Sequence, residues 1–157
     1  MEVISLDFSS PFLIVNIYGP CQGREIFWTD LLAKSLMNSS LMIVGGDLNF
    51  SLGRVEAWGP SAREDPLSDF FHKALLDKNL IDHSPIKLKL TWRNRRSGED
   101  RIAKILDRFL LSEGLISKIP LFRQWVEEFG NSDHFPIFLE LSFPPPKPPA
   151  PFKFNSS

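Results

Sequence analysis

Asp47 and Asn49 stand two residues apart at the end of the apolar run Leu41-Met42-Ile43-Val44-Gly45-Gly46. In extended chain two such residues point to the same side. A carboxylate and an amide presented together at the end of a buried strand is costly unless something binds there. The plainer alternative is an Asp/Asn turn that satisfies its own hydrogen bonds. Three more polar positions fall where strands are expected to end: Tyr18, Asp107 and the pair Asp133-His134. Asp107 lies between Leu106 and Phe109, an unusual place for a lone carboxylate. It is either the partner that orients His134 or one half of an ion pair with Arg108 or Arg101. A histidine oriented by a carboxylate serves general acid–base work or charge stabilisation, whereas an isolated loop histidine more often does nothing. Hard cations such as Mg²⁺ take carboxylate and amide oxygens and keep several waters. Four strand-end polar positions on one chain favour a single site over four unrelated turns.

A second group is basic. Lys87, Lys89, Arg93, Arg95, Arg96, Arg101 and Lys104 fall on one expected hairpin, interrupted by Glu99 and Asp100. Such a run either tracks a phosphate backbone or is a solvated hairpin. His72 and His83 have no partners at metal-ligand spacing, and Cys21 has no nearby His/Asp pattern that would make it a nucleophile.

Elements must carry these groups. Phe12 to Tyr18 is a β-rich run closed by Gly19-Pro20. Arg24 to Met37 has apolar pairs at helical spacing, and the Asp47 run follows it, so strand, helix and strand suggest a βαβ-like step. Ser51 to Glu64 is a Gly/Pro-punctuated loop. A second helix begins after Asp65, a plausible N-cap, with Pro66 in its first turn, and Leu67, Phe70, Phe71, Ala74 and Leu75 form its apolar stripe before Asn79 stops it. Ile86 to Arg93 alternates as a half-buried strand, residues 94–100 form a polar turn, and Arg101 to Leu111 reads as the return strand. A short helix over 112–119, a strand over Leu121–Phe129 with Trp125 and Val126 inward, and a last strand over Pro136–Phe143 complete the pattern. Residues 1–10 carry little pattern, and the proline-rich stretch 144–149 reads as a polyproline-like linker.

The bulk numbers fit one soluble domain. The chain has 157 residues, is 43% hydrophobic and 24% charged, and contains 14 Phe and 4 Trp, enough for a real core. Its net charge of −1 excludes a molecule-wide field that attracts nucleic acid, so any such binding must come from a local patch. The single cysteine excludes an intrachain disulfide and fits a reducing compartment, nuclear or cytoplasmic, with no disulfide-linked partner. The acidic start lacks the basic region of a signal peptide, and no apolar run approaches the ~20 residues that span a bilayer, so no membrane partner is expected.

Ile17-Tyr18-Gly19-Pro20, Gly46-Asp47-Leu48-Asn49, Thr91-Trp92 with Asn94, Leu106-Asp107-Arg108-Phe109-Leu110 and Ser132-Asp133-His134 occur in that order. In this the chain resembles the endonuclease/exonuclease/phosphatase superfamily over roughly residues 12–143, and especially the endonuclease domain of plant LINE-type (non-LTR) retrotransposons. The resemblance implies a four-layer α/β sandwich, with residues 1–143 as the domain and 144–157 as a tail. It implies Mg²⁺- or Mn²⁺-dependent phosphodiester cleavage with DNA as partner. By the same motifs, Asp47 and Asn49 position water and phosphate, and His134, oriented by Asp107, acts as base or stabilises charge. Tyr18 contacts the phosphate, Asp133 belongs to the metal network, and Trp92 and Asn94, with Arg95 and Arg96 of the basic run, meet substrate.

Family members also begin with a strand carrying an Asn, then a helix and strand supplying a metal-binding Glu. Only eleven residues precede Phe12 here, so the expectation is an N-terminally truncated domain in which activity is in doubt. A non-catalytic or vestigial nucleic-acid-binding fragment and a phosphoesterase for a small substrate are the alternatives.

Overall fold

The computed structural model describes residues 2–5, 8–83, 89–127 and 131–142, with side chains from residue 11 onward. Strands β1 (Glu2–Ser5) and β2 (Phe8–Asn16) pair antiparallel. Helix α1 (Arg24–Leu32) then leads to β3 (Met42–Asp47), which lies parallel to β2 and completes the expected strand–helix–strand step. After β4 (Ala57–Trp58) and α2 (Ser68–Asp77) come β5 (Leu80–Asp82), β6 (Trp92–Arg93), β7 (Ala103–Lys104) and β8 (Asp107–Ser112). The chain continues through α3 (Glu113–Ile116), β9 (Leu121–Val126) and β10 (Ile137–Ser142).

The central sheet has the order β1-β2-β3-β8-β5, with β8 antiparallel to both neighbours. A two-stranded sheet, β10-β9, and a three-stranded sheet, β4-β7-β6, accompany it. Alternation along β3 sends Met42 and Val44 to one side and Ile43 to the other, so the strand is covered on both faces. On the first side Trp28 and Leu32 of α1 and Phe71 and Leu75 of α2 pack against the sheet. Phe50 and Phe71 stack there with ring centroids 4.0 Å apart, and Trp28 meets Phe50 edge-on at 5.4 Å. On the second side Phe12, Ile43 and Leu111 pack with Leu115, Ile119, Phe122, Leu139 and Leu141. Helices, sheet and second sheet thus form an α/β sandwich, as expected. Among the described residues no helix is long and apolar enough to cross a membrane.

Several element boundaries differ from expectation. The pattern-poor residues 2–5 and 8–10 are strand, because backbone ladder bonds need no side-chain alternation. Helix α1 ends at Leu32, and the chain reforms as a 3-10 turn over Ser35–Asn38, which sends Met37 into the core. Asp65 does not cap α2. The helix starts at Ser68, and the Asp65 carboxylate is instead engaged by Arg24 and by the Ser51 and Leu67 N–H groups.

The expected return strand 101–111 is two strands in different sheets. Between them Ile105 N–H turns to the Glu56 carbonyl, and the N–H groups of Leu106 and Asp107 both donate to Thr91 Oγ1. Among the described residues of the expected 86–93 strand, 89–93, Trp92–Arg93 alone are strand; residues 84–88 and the 144–149 linker lie outside the described residues. Of the two residues expected inward on β9, Val126 is buried, while Trp125 is half-buried and stacked on Phe138 at 5.3 Å.

Arg108 is the largest buried charge, 1% exposed, and it is shared by Glu56 and Asp82. Both carboxylates hold the guanidinium charged in spite of its burial. One cation cannot fully offset two acids, and burial leaves the Asp82 carboxyl above its ordinary range. Arg108 is therefore not the counter-charge of its neighbour Asp107.

Candidate active site

The topology brings three strand ends to one edge. Parallel pairing puts the ends of β2 and β3 together, and antiparallel pairing puts the start of β8 beside the end of β3. Tyr18, Asp47, Asn49 and Asp107 follow from that arrangement. The outer ends of strands in open sheets are where α/β folds form ligand crevices.

Two close approaches shape this edge. Gly46 has φ +127°, and a Cβ there would lie 2.2 Å from the Ile17 carbonyl oxygen. A Cβ on Gly19 would lie 2.3 Å from the Leu48 carbonyl oxygen. Asn49 takes the left-handed conformation, φ 56°, which asparagine tolerates better than most residues. Its Nδ2 donates to the Gly19 carbonyl at 2.8 Å, and its N–H donates to Asp47 Oδ1 at 3.2 Å.

His134 arrives from the loop before β10. Arg93 N–H donates to the Asp133 carbonyl and Phe135 N–H to the Thr91 carbonyl, which fixes that loop along β6. Thr91, 2% exposed, therefore anchors both the start of β8 through its hydroxyl and the histidine loop through its carbonyl. His134 Nδ1 lies 2.9 Å from Asp107 Oδ2. An ionised carboxylate only accepts, so Nδ1 carries the hydrogen and Nε2 is left for other work. Nε2 faces Asp47 Oδ2 at 3.8 Å.

Burial pushes the Asp47 carboxyl above its usual range, and the Asp107 charge opposite adds to the effect; His134 and the Asn49 N–H act the other way without cancelling it. The potential ligand atoms of Asp47, Asp107 and His134 lie within 4.8 Å of one another. A half-buried pair of carboxylates with one of them forced upward suits a hard divalent cation that also keeps waters.

Asp47 and His134 line a cleft of about 530 Å³ together with Tyr18, Asn49, Trp92 and Asp133, and Asp107 reaches it through His134. Asp133 is exposed at the rim and stands outside the close trio. Three expected substrate contacts are not brought here. Asn94, Arg95 and Arg96 line a separate groove, and the Asn94 amide is used within its own loop.

Sequence reasoning missed Arg24, Lys104 and Asp65 as cleft residues and Thr91 as the anchor of β8 and of the histidine loop. Arg24 makes a two-pronged contact with Asp65, one arm at 2.7 Å, and donates to the Asn49 carbonyl at 2.9 Å. Burial alone would raise the Asp65 carboxyl, but the Arg24 guanidinium and two backbone N–H groups hold it below its ordinary range. One signal was available in the sequence: an arginine in the first turn of a helix opposes the helix dipole and so calls for a local acid.

The architecture is an α/β sandwich with an acid–histidine cleft at the edge where its strands end. It is similar to the solved endonuclease domain of TRAS1, a telomere-specific non-LTR retrotransposon, with a TM-score of 0.63 and 18% identity. The likeness covers 90% of this chain and 62% of that one, so this chain spans less than two thirds of that structure's length. No protein-family profile matches the chain, and no curated protein matches it.

Proposed function

We propose that the cleft hydrolyses phosphodiester bonds of nucleic acid, with DNA as the substrate and Mg²⁺ or Mn²⁺ as cofactor. The observation that carries this reading is His134 held by Asp107 on one nitrogen and facing Asp47 with the other. Asp47 and Asp107 would hold the cation, with Asp133 adding a carboxylate at the rim. When bound, the cation neutralises charge on the phosphate oxygens. The chain's own groups do the rest. Asp107 keeps the imidazole in one tautomer and orientation, so that Nε2 accepts a proton or, once protonated, donates to a phosphate oxygen. Asn49 offers an amide fixed by Gly19, and Asp47 accepts a hydrogen bond from an attacking water. Tyr18, 76% exposed, contacts the phosphate from the outer wall. Lys104 and Arg24 add positive charge to the same cleft.

The support for a nucleic acid over a small phosphoester is the TRAS1 endonuclease likeness together with a basic hairpin that continues past the cleft. The test is nicking of supercoiled plasmid by purified protein in Mg²⁺ and in EDTA, with Asp47→Ala and His134→Ala alongside. Metal-dependent nicking lost in both variants is the expected result. Nicking absent from the unsubstituted chain would leave a non-catalytic binding domain, and nicking unchanged in both variants would show that this cleft does not carry the hydrolysis.

A further inference from the structure

Outside the cleft lies a second groove of about 630 Å³, lined by Trp58, Arg93, Arg95, Arg96 and Arg101. It occupies the other face of the three-stranded sheet. Trp92 and its cross-strand partner Lys104 line the cleft, while Arg93 and its partner Ala103, which also pairs with Trp58, line the groove. Strand alternation thus makes one ribbon with two working faces. Ile102 borders both.

Three features mark the groove as a binding surface. Among the described residues, none of the four arginines has a carboxylate partner within ion-pair distance; Arg93 instead lies over the Phe135 ring at 5.1 Å. Glu99 and Asp100 share the turn but do not line the groove. Clustered guanidiniums without counter-charge repel one another, and a polyanion relieves that repulsion.

The loop is also built to hold its shape. Asn94 Oδ1 accepts from the N–H groups of Arg96 and Ile102, and Nδ2 donates to the Asp100 carbonyl. Arg95 is thereby kept at φ 55°, a conformation a long side chain rarely adopts. Finally, Trp58 is half-buried on the same face as the arginines, with an aromatic surface beside them.

We propose that this groove is a second nucleic-acid site, which takes the backbone phosphates of a single-stranded segment on Arg95, Arg96 and Arg101 and stacks an unpaired base on Trp58. Guanidiniums read phosphate, and a stacking ring needs a base released from pairing, which selects single strand over duplex. The proposal shares its class of ligand with the hydrolase reading of the cleft but needs no hydrolysis.

The test is fluorescence anisotropy of labelled oligo-dT with the full chain in EDTA, so that cleavage plays no part. Trp58→Leu and the double variant Arg95→Ala/Arg96→Ala are each expected to weaken binding about tenfold. The double variant should also flatten the log K against log salt slope by about 0.7 for each phosphate it no longer neutralises. Arg123→Ala, which removes an exposed arginine on β9 outside the groove, is the control expected to bind as before. Oligo-dT that fails to bind, groove variants that bind like the unsubstituted chain, or a blunt duplex that competes better than oligo-dT would overturn the proposal. If plasmid nicking fails while groove-dependent binding holds, only the hydrolase reading falls. Nicking without groove-dependent binding sinks this proposal alone.

Discussion

Asp47 and Asp107 face each other directly across the end of the antiparallel β3–β8 ladder. Like charges on opposed strand positions destabilise a sheet. Nothing in the core requires this pair: the buried cation nearest in sequence, Arg108, is committed to Glu56 and Asp82. The arrangement is a local cost concentrated where the cleft opens, and His134 sits between the two acids.

Removing one charge should therefore stabilise the fold while harming the site. The folded Asp47 carboxyl is raised, so its ionisation costs stability as pH rises through the folded value, and below the ordinary value of 3.8 the cost is absent. Asp47→Asn is expected to be about 1 kcal/mol more stable than the unsubstituted chain at pH 7 and no more stable at pH 3. Thermal melts across that range check it; equal or lower stability at pH 7 would contradict the repulsion argument.

Asp107→Asn leaves the imidazole without the carboxylate that sets its tautomer. Metal-dependent nicking should fall about a hundredfold or more with little change in circular dichroism. A variant that nicks at the normal rate would show that orientation of His134 by Asp107 has no catalytic part.

The Arg24–Asp65 pair has the opposite linkage. Its acid is 4% exposed and held below 3.8, so it contributes stability above the unfolded value that is lost as pH falls through the folded one. Asp65→Asn should cost about 3 kcal/mol at pH 7, because it strands a largely buried guanidinium. Urea unfolding should show the difference shrinking below pH 3.8.

Gly46→Ala places a methyl group 2.2 Å from the Ile17 carbonyl at a backbone angle that alanine avoids. A loss of at least about 2 kcal/mol is expected. Because that rung sits beside Asp47, nicking should fall in the same variant; denaturant midpoints and the plasmid assay read the two effects.

The sandwich class was implied only by the resemblance of the ordered motifs to a known family, whereas the sequence by itself determined the β2–α1–β3 step, the stripe of α2 that meets Phe50 and Trp28, and the chemical character of Asp47, Asn49, Asp107 and His134. Those features follow from local period and residue type, which the chain carries without knowing its partners. Only the tertiary structure decided which of them meet. Asp107 chose His134 over Arg108 because successive strand residues point to opposite faces: Arg108 goes inward to Glu56 and Asp82 while Asp107 turns to the edge. The basic run likewise read as one patch. Splitting the return strand at Ile105, through hydrogen bonds to Glu56 and Thr91 that lie far away in sequence, put Lys104 in the cleft and Arg95 and Arg96 in a groove behind it. Periodicity reports a face, but the pairing that gives each face its neighbours is a long-range property of the folded chain.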